Sequence, residues 1–428
     1  MSAWVLMGLP ASIYLSGMGQ TWIAIGLGIG YAVSWIFMAP RLRRFSIAAG
    51  DSITIPQYLT NRFLSKNKSL QILSAIIFLV AYTIYAASSI KACGTLFNTV
   101  MDIDPTVAMY IAAFIIVAYT FLGGFSAVCW TDFFQGMIML AALLIAPLFA
   151  LALAKAGDGA ATGATLPDGF FNFFTTPQDI ISGLGWGLGY FGMPHIIIRF
   201  MSLKSEKELR KSSVIGISWT TIILIMSALT AIAGRLYLGE IEDSSTVFIT
   251  MVRRIFPALV SGLLLSAILS AAMSTADSQL LAASSAFASD VYKPVIRKKA
   301  SDSEMLWAGR IVVIVIAIVA LFIASDPNSG SIMGLVENAW GVFGAAFGPV
   351  ILLSLFWKRL TFGGTVAGIA AGAAVDILWL VFLSSTDIYE IVPGFAAGLL
   401  AAVVVSLLSK GPGKDVEDLF DRAVDLKS

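Results

Sequence analysis

Apolar runs recur along the whole of this 428-residue chain, and they restrict its fold more than any other feature. They fall at 4–17, 20–39, 70–97, 106–122, 126–153, 180–200, 213–238, 254–289, 304–324, 331–356, 363–384 and 387–408. About 20 apolar residues in a helix cross a bilayer, and lipid tolerates only segments that satisfy their own backbone hydrogen bonds. The first run is short, so the reading is about eleven full spans plus a partial first one. Charged residues make up 12% of the chain, about half the share in a soluble domain. The fold class is therefore an all-α polytopic membrane protein.

Basic residues concentrate in alternate loops. One set holds Arg41, Arg43, Arg44, Arg62, Lys66 and Lys68, then Arg199 to Lys211, Lys293 to Lys299, Lys358 and Arg359, and the C-terminal lysines. The opposite set carries Asp102, Asp104, Asp158, Asp168, Glu240, Glu242 and Asp243. The positive-inside rule then places the 41–68 loop and the C-terminus in the cytoplasm of a cell-membrane protein. Residues 1–410 read as one transmembrane domain and 411–428 as a short, charged, mobile tail. The Gly-rich 155–178 stretch reads as an outer loop whose FFNFF lies at the interface, and ITIPQYLTNRF as a short surface helix. The opening MSAWVLMGLP lacks a basic n-region, so no cleavable signal peptide is expected.

Several function classes find no support. A net charge of +1 gives no sign of nucleic-acid binding, and Cys93, Cys129 and the single His195 do not form a disulfide framework or a metal centre. No nucleophile–base set or phosphate loop points to an enzyme.

Polar residues inside the spans carry the chemistry. In 261–293, Ala271, Ser274, Thr275 and Ser278 are spaced i, i+3, i+4 and i+7 and share a helix face. Hydroxyls and a freed carbonyl suit a hard monovalent cation, while the same pattern also serves as helix-packing glue. Asp277 beside them is an intramembrane carboxylate, which favours a functional reading. In 182–201, five glycines precede Pro194, a composition expected to break the helix and line a cavity. Freed N–H groups there suit a substrate carboxylate, and Trp186 and Tyr190 offer a wall for an aliphatic ring or an ammonium. Close glycine packing is the other reading.

Within 118–136, a turn is expected at Gly123–Gly124, with Asp132 as a second intramembrane carboxylate. It serves as a cation ligand or as a partner for a neighbouring hydroxyl. Glu337 and Asp376 lack hydroxyl clusters and read as structural, His195 as a core residue and Arg199 as an interface anchor. Met7–Pro10 should interrupt the opening span, 340–350 should pack closely or bend, and Tyr85 is a candidate cavity residue.

The strings WVLMGLPASIYLSG, TFLGGFSAVCWTD, GWGLGYFGMPHIIIRFM, SGLLLSAILSAAMSTADSQLLAASSAFASDVYK and WGVFGAAFGPV resemble, in order, the sodium/solute symporter family, and within it the sodium/proline symporters. The resemblance implies a leucine-transporter-like core of two inverted five-helix repeats with extra peripheral helices. It implies a sodium site at the Ala271 carbonyl, the Ser274 and Thr275 hydroxyls and the Met1 carbonyl. Asp132 would take part in sodium coupling, and Asp132, Asp277 and Ser278 would hold a second sodium. The proline pocket maps onto Tyr85, Trp186, Tyr190 and Pro194. Met193 stands where the sodium/proline symporters carry glutamine, a departure that bears on substrate choice. A second departure is at the start: the chain resembles a member lacking its peripheral first helix and half of core helix one, as if truncated at an internal methionine.

The expected function is sodium-driven import of a small zwitterion, first of all L-proline, by alternating access in a lipid bilayer. Competing expectations are symport of another carboxylate, sugar acid or pantothenate-like solute, and a non-transporting truncated product. The oligomeric state is not legible.

Overall fold

The structure, a computed structural model, describes residues 2–157 and 166–426, with backbone alone at 119, 122–129, 206 and 295. Met1 therefore lies outside the described residues. Among those described, nine helices are long and apolar enough to cross a membrane: Met18–Ala48, Ser69–Met101, Trp130–Lys155, Lys207–Leu238, Ala258–Pro294, Asp302–Ser325, Ile332–Phe356, Phe362–Phe382 and Ile391–Leu408. Shorter apolar helices Ala3–Ser16 and Pro105–Ala118, with an interrupted segment over 177–201, account for the remaining runs.

Polar residues at the membrane faces start these helices. The side chains of Ser301, Ser331 and Thr361 accept from the backbone N–H three residues on, and Asp104 accepts from two. Thr176 and Asp179 form a reciprocal capping box over Pro177. Each satisfies N–H groups that would otherwise face lipid or an unpaired interior.

The two interrupted segments meet at the centre. A short 3-10 turn at Ala3–Val5 gives way at Leu6 and Met7 to a helix from Gly8 to Ser16, which places the break at the expected Met7–Pro10 string. In the second segment, the helix Pro177–Gly185 passes into a 3-10 stretch, Trp186–Phe191, before helix Pro194–Met201 begins. Proline supplies no N–H and fixes its own φ, so it starts the new helix instead of continuing the old one. Trp4 and Trp186, one from each break, stack with ring centroids 5.3 Å apart.

Glycine does two jobs in this second segment, so both sequence readings hold. The segment is broken, and it is also pressed backbone-to-backbone against Met18–Ala48. A β-carbon at Gly30 would stand 2.2 Å from the Gly187 carbonyl oxygen, closer than any side chain tolerates. The 340–350 stretch resolves toward close packing: Ile332–Phe356 is unbroken, and 83% of its apolar window is buried, against 28% for the peripheral Asp302–Ser325. It is the central post of the bundle.

Three expectations change. Helical backbone runs from Pro105 to Lys155, with no turn at Gly123–Gly124. The helix Ile55–Arg62 forms as expected, but it is not a surface helix: Ile55, Tyr58, Leu59 and Arg62 are buried. Burial pushes the Tyr58 hydroxyl up to about 12 and draws the Arg62 guanidinium below its ordinary range.

The third change concerns the tail, which forms an amphipathic helix, Lys414–Asp425, with Val416, Leu419, Phe420 and Ala423 buried. Its Val416 carbonyl accepts from Arg62 Nη1 at 3.2 Å, and the Phe420 ring lies 5.0 Å from the Arg62 guanidinium. Arg44 donates to the Val424 carbonyl, and Lys358 pairs with Asp421 at 2.6 Å. A buried guanidinium is costly without acceptors and ring faces, and this helix provides part of both.

Candidate solute and ion cavity

A cavity of about 420 Å³ opens between the two broken segments. Trp186 and Tyr190 enter it from the 3-10 stretch, and Tyr85 from Ser69–Met101, as the sequence suggested. Trp4, Tyr31 and Trp340 complete an aromatic wall that the sequence reading did not assemble. Tyr190 packs 4.9 Å from Tyr31 and 5.0 Å from Trp340, and Trp340 Nε1 donates to the Trp186 carbonyl at 2.8 Å. These rings come from five separate helical segments, so no spacing within one segment could reveal the set. Trp340 carried the one available hint, as the aromatic leading a Gly-rich span.

The polar wall lies on the other side. Asp132 projects from Trp130–Lys155 toward Ser274 and Ser278, one turn apart on Ala258–Ala286. The Ser274 hydroxyl donates to Asp132 Oδ1, and Ser278 donates to Oδ2 at 3.3 Å. Ala271 and Thr275 line the same cavity. Both readings of Asp132 therefore coexist: it is the partner of neighbouring hydroxyls, and those hydroxyls are the candidate ion ligands.

Arg199 is placed differently from the expectation. It lines the cavity, with Nη2 at 3.4 Å from Asp132 Oδ2 and 3.4 Å from Ser278 Oγ. Helix Pro194–Met201 carries it inward, because the break redirects the chain before it. Its side chain is 60% exposed, against 17% for Asp132. The cavity is thus open beside Arg199, while Trp186, Tyr190 and Trp340 close its far end. His195 also lines it, with its backbone N–H donating to Tyr82 Oη at 3.1 Å.

Other candidates are not brought into the cavity. Met193 and Pro194 are buried outside its lining. Asp277, three residues after Ser274, turns away from that face; it is fully buried, and neither carboxylate oxygen has a hydrogen-bond partner. Helical rotation explains the split, since at 3.6 residues per turn position 277 stands about 110° from the centre of the stripe formed by 271, 274, 275 and 278. The N–H of His195 is already taken by Tyr82, so that first-turn donator is not free for a solute carboxylate.

What converges is a wall suited to a small amphipathic ring, beside an oxygen cluster suited to a hard cation and faced by a guanidinium. Aromatic faces attract ammonium groups and cover aliphatic carbons at once. Hydroxyls around a carboxylate supply the several oxygens that such a cation requires.

Known proteins resemble this chain in sequence or in architecture. The chain is 44% identical over 435 residues to the high-affinity proline transporter PutP of Bacillus subtilis, covering 100% of this chain and 92% of that protein. It is 44% identical over 444 residues to a sodium/proline symporter of Haemophilus influenzae, covering 99% and 88%. Among solved structures, a substrate-bound, outward-open Na⁺-coupled sialic acid symporter superposes with a TM-score of 0.76 at 21% identity, over 96% of this chain and 88% of that one. MhsT in complex with L-phenylalanine superposes at 0.54 with 12% identity, over 95% and 97%. The architecture is leucine-transporter-like, as the resemblance implied. With a family model matching residues 1–372 on top of these relatives, the chain belongs to the sodium:solute symporter family.

Proposed function

We propose that this protein is a sodium-coupled symporter that imports L-proline across the cell membrane by alternating access. The observation that carries the reading is the meeting, in one cavity between two helix breaks, of an aromatic wall with the Asp132–Ser274–Ser278 cluster. Relatives named as proline transporters support the choice of solute. Met193, where the resemblance implied glutamine, is buried outside the cavity's lining.

In this reading the basic face and the C-terminus are cytoplasmic, following the positive-inside rule. Trp186 and Tyr190 receive the pyrrolidine ring, and its ammonium lies against their faces. Sodium approaching Asp132 competes with the Arg199 guanidinium for the same carboxylate. That exchange is a contact present in one ion state and absent in the other, which coupling between two ligands requires. Rocking of one bundle against the other then moves access from one face to the opposite one.

Radiolabelled proline uptake into proteoliposomes, with and without an inward sodium gradient, tests the proposal. Concentrative uptake only with the gradient is the expected result. Uptake indifferent to sodium overturns the coupling, and sodium-driven uptake of another solute in preference to proline overturns the substrate.

A further inference from the structure

A second cavity, of about 700 Å³, lies beyond Trp186 among the loops of the acidic face. Its described lining includes the carboxylates Asp179, Glu337, Asp387 and Glu390, and no Lys, Arg or His. Such a vestibule concentrates cations at its mouth.

Behind its floor sits Asp376, on the Gly-rich face of Phe362–Phe382. It is wholly buried, and neither of its carboxylate oxygens has a partner. Glu390, at the start of Ile391–Leu408, is 6% exposed with an unpartnered Oε1. Both carboxylates aim at one place. A β-carbon at Gly341 would stand 2.9 Å from Asp376 Oδ1 and 3.4 Å from Glu390 Oε1. The two oxygens thus crowd the same side of Gly341, where Asp376 Oδ1 stands too near for a methyl group to enter without a shift. Neither group takes part in an ion pair found among the described residues.

Buried carboxylates are strongly destabilising when ionised without a partner, so this arrangement calls for a proton or a bound cation. The donors are all oxygen, which suits a hard cation. Among the described residues no three His, Cys, Asp or Glu side chains converge to hold a metal. A pair of carboxylates without a third fits a weakly held monovalent ion better than a caged divalent one.

We propose that Asp376 and Glu390, converging at Gly341, form a sodium site apart from the Asp132 cluster and fed from the acidic vestibule. It would be the first ion site met on that side. Gly341 follows Trp340, whose indole holds the Trp186 carbonyl, so an ion here braces the helix that supports the partition between the two cavities. The site stands whether or not proline is the solute.

Equilibrium ²²Na⁺ binding to the purified full chain tests it, with Gly341→Ala, Asp376→Asn and Glu390→Gln compared with wild type and with Ser274→Ala. Gly341→Ala keeps both carboxylates and sets a methyl group against them, which pushes the two oxygens off their shared position. The expected result is loss of one sodium equivalent in each of the three, additive with the loss caused by Ser274→Ala. Should Asp376→Asn fail to fold, the other two carry the test. Unchanged sodium binding in a folded Gly341→Ala or Glu390→Gln protein overturns the site, including the case in which the pair merely shares a proton. Binding of ⁴⁵Ca²⁺ that Gly341→Ala abolishes overturns its assignment to sodium.

Discussion

Trp186 lines both cavities, so its indole is the partition between the solute space and the acidic vestibule. It is 2% exposed and lies between two rings, 5.3 Å from Trp4 and 5.1 Å from Tyr389. Trp186→Ala removes this wall but leaves the Trp340 hydrogen bond, because that bond ends on the backbone carbonyl. Each aromatic pair contributes about 1 kcal/mol beyond burial, so the closed partition loses about 2 kcal/mol relative to arrangements in which the cavities communicate. At 1.4 kcal/mol per tenfold, the communicating population rises about 30-fold. The assay is reconstitution with two readouts: ²²Na⁺ leak without proline, and proline accumulated per sodium gradient. Trp186→Ala is expected to leak sodium and to accumulate proline poorly, whereas Trp186→Phe keeps most of the ring contact and stays nearly tight. Wild-type accumulation with no added leak in Trp186→Ala would refute the partition.

Two further expectations follow from the contacts. Ser274→Ala deletes a hydroxyl that donates to the Asp132 carboxylate. A hydrogen bond to a charged group contributes about 1.5–3 kcal/mol, so the sodium concentration for half-maximal uptake should rise at least about tenfold, with maximal rate little changed. Unaltered sodium dependence would return that hydroxyl face to helix packing. Phe420→Ala removes one edge-to-face contact with Phe45 and one ring beside the Arg62 guanidinium. Together these come to about 2–3 kcal/mol, enough to release helix Lys414–Asp425 from the body. Faster proteolysis and hydrogen exchange confined to that helix should appear, while Lys358→Gln, which touches only exposed ion pairs, should change little. Equal protection in Phe420→Ala and wild type would count against the docked helix.

Much of the site was legible along the chain, and the misses have definite causes. The break in 182–201 showed itself because glycines and a proline act locally on the backbone. The Ser274 and Ser278 face was visible because helical spacing needs no partner to be read. Arg199 was misplaced because a basic residue near the end of a span reads as an anchor unless the direction of the broken helix is known. The C-terminal helix was missed although Val416, Leu419, Phe420 and Ala423 have helical spacing; brevity and charge outweighed that pattern. Glu337 and Asp376 looked isolated because Glu390, which faces Asp376 across Gly341, lies in a different span.

The sequence by itself determined that the chain spans a membrane repeatedly, that one span is interrupted, and which polar residues sit at depth. These follow from composition and period, which act over a few residues at a time. Only the tertiary structure decided that Asp132 meets Ser274 and Ser278 while Asp277 turns away, and that aromatic rings from separate segments close one cavity. It also decided that two orphaned carboxylates converge on a single glycine. Such pairings depend on how separate helices are rotated and how closely they approach. Here the close approach rests on glycines pressed against the backbone of a different helix, a partnership that no local pattern records.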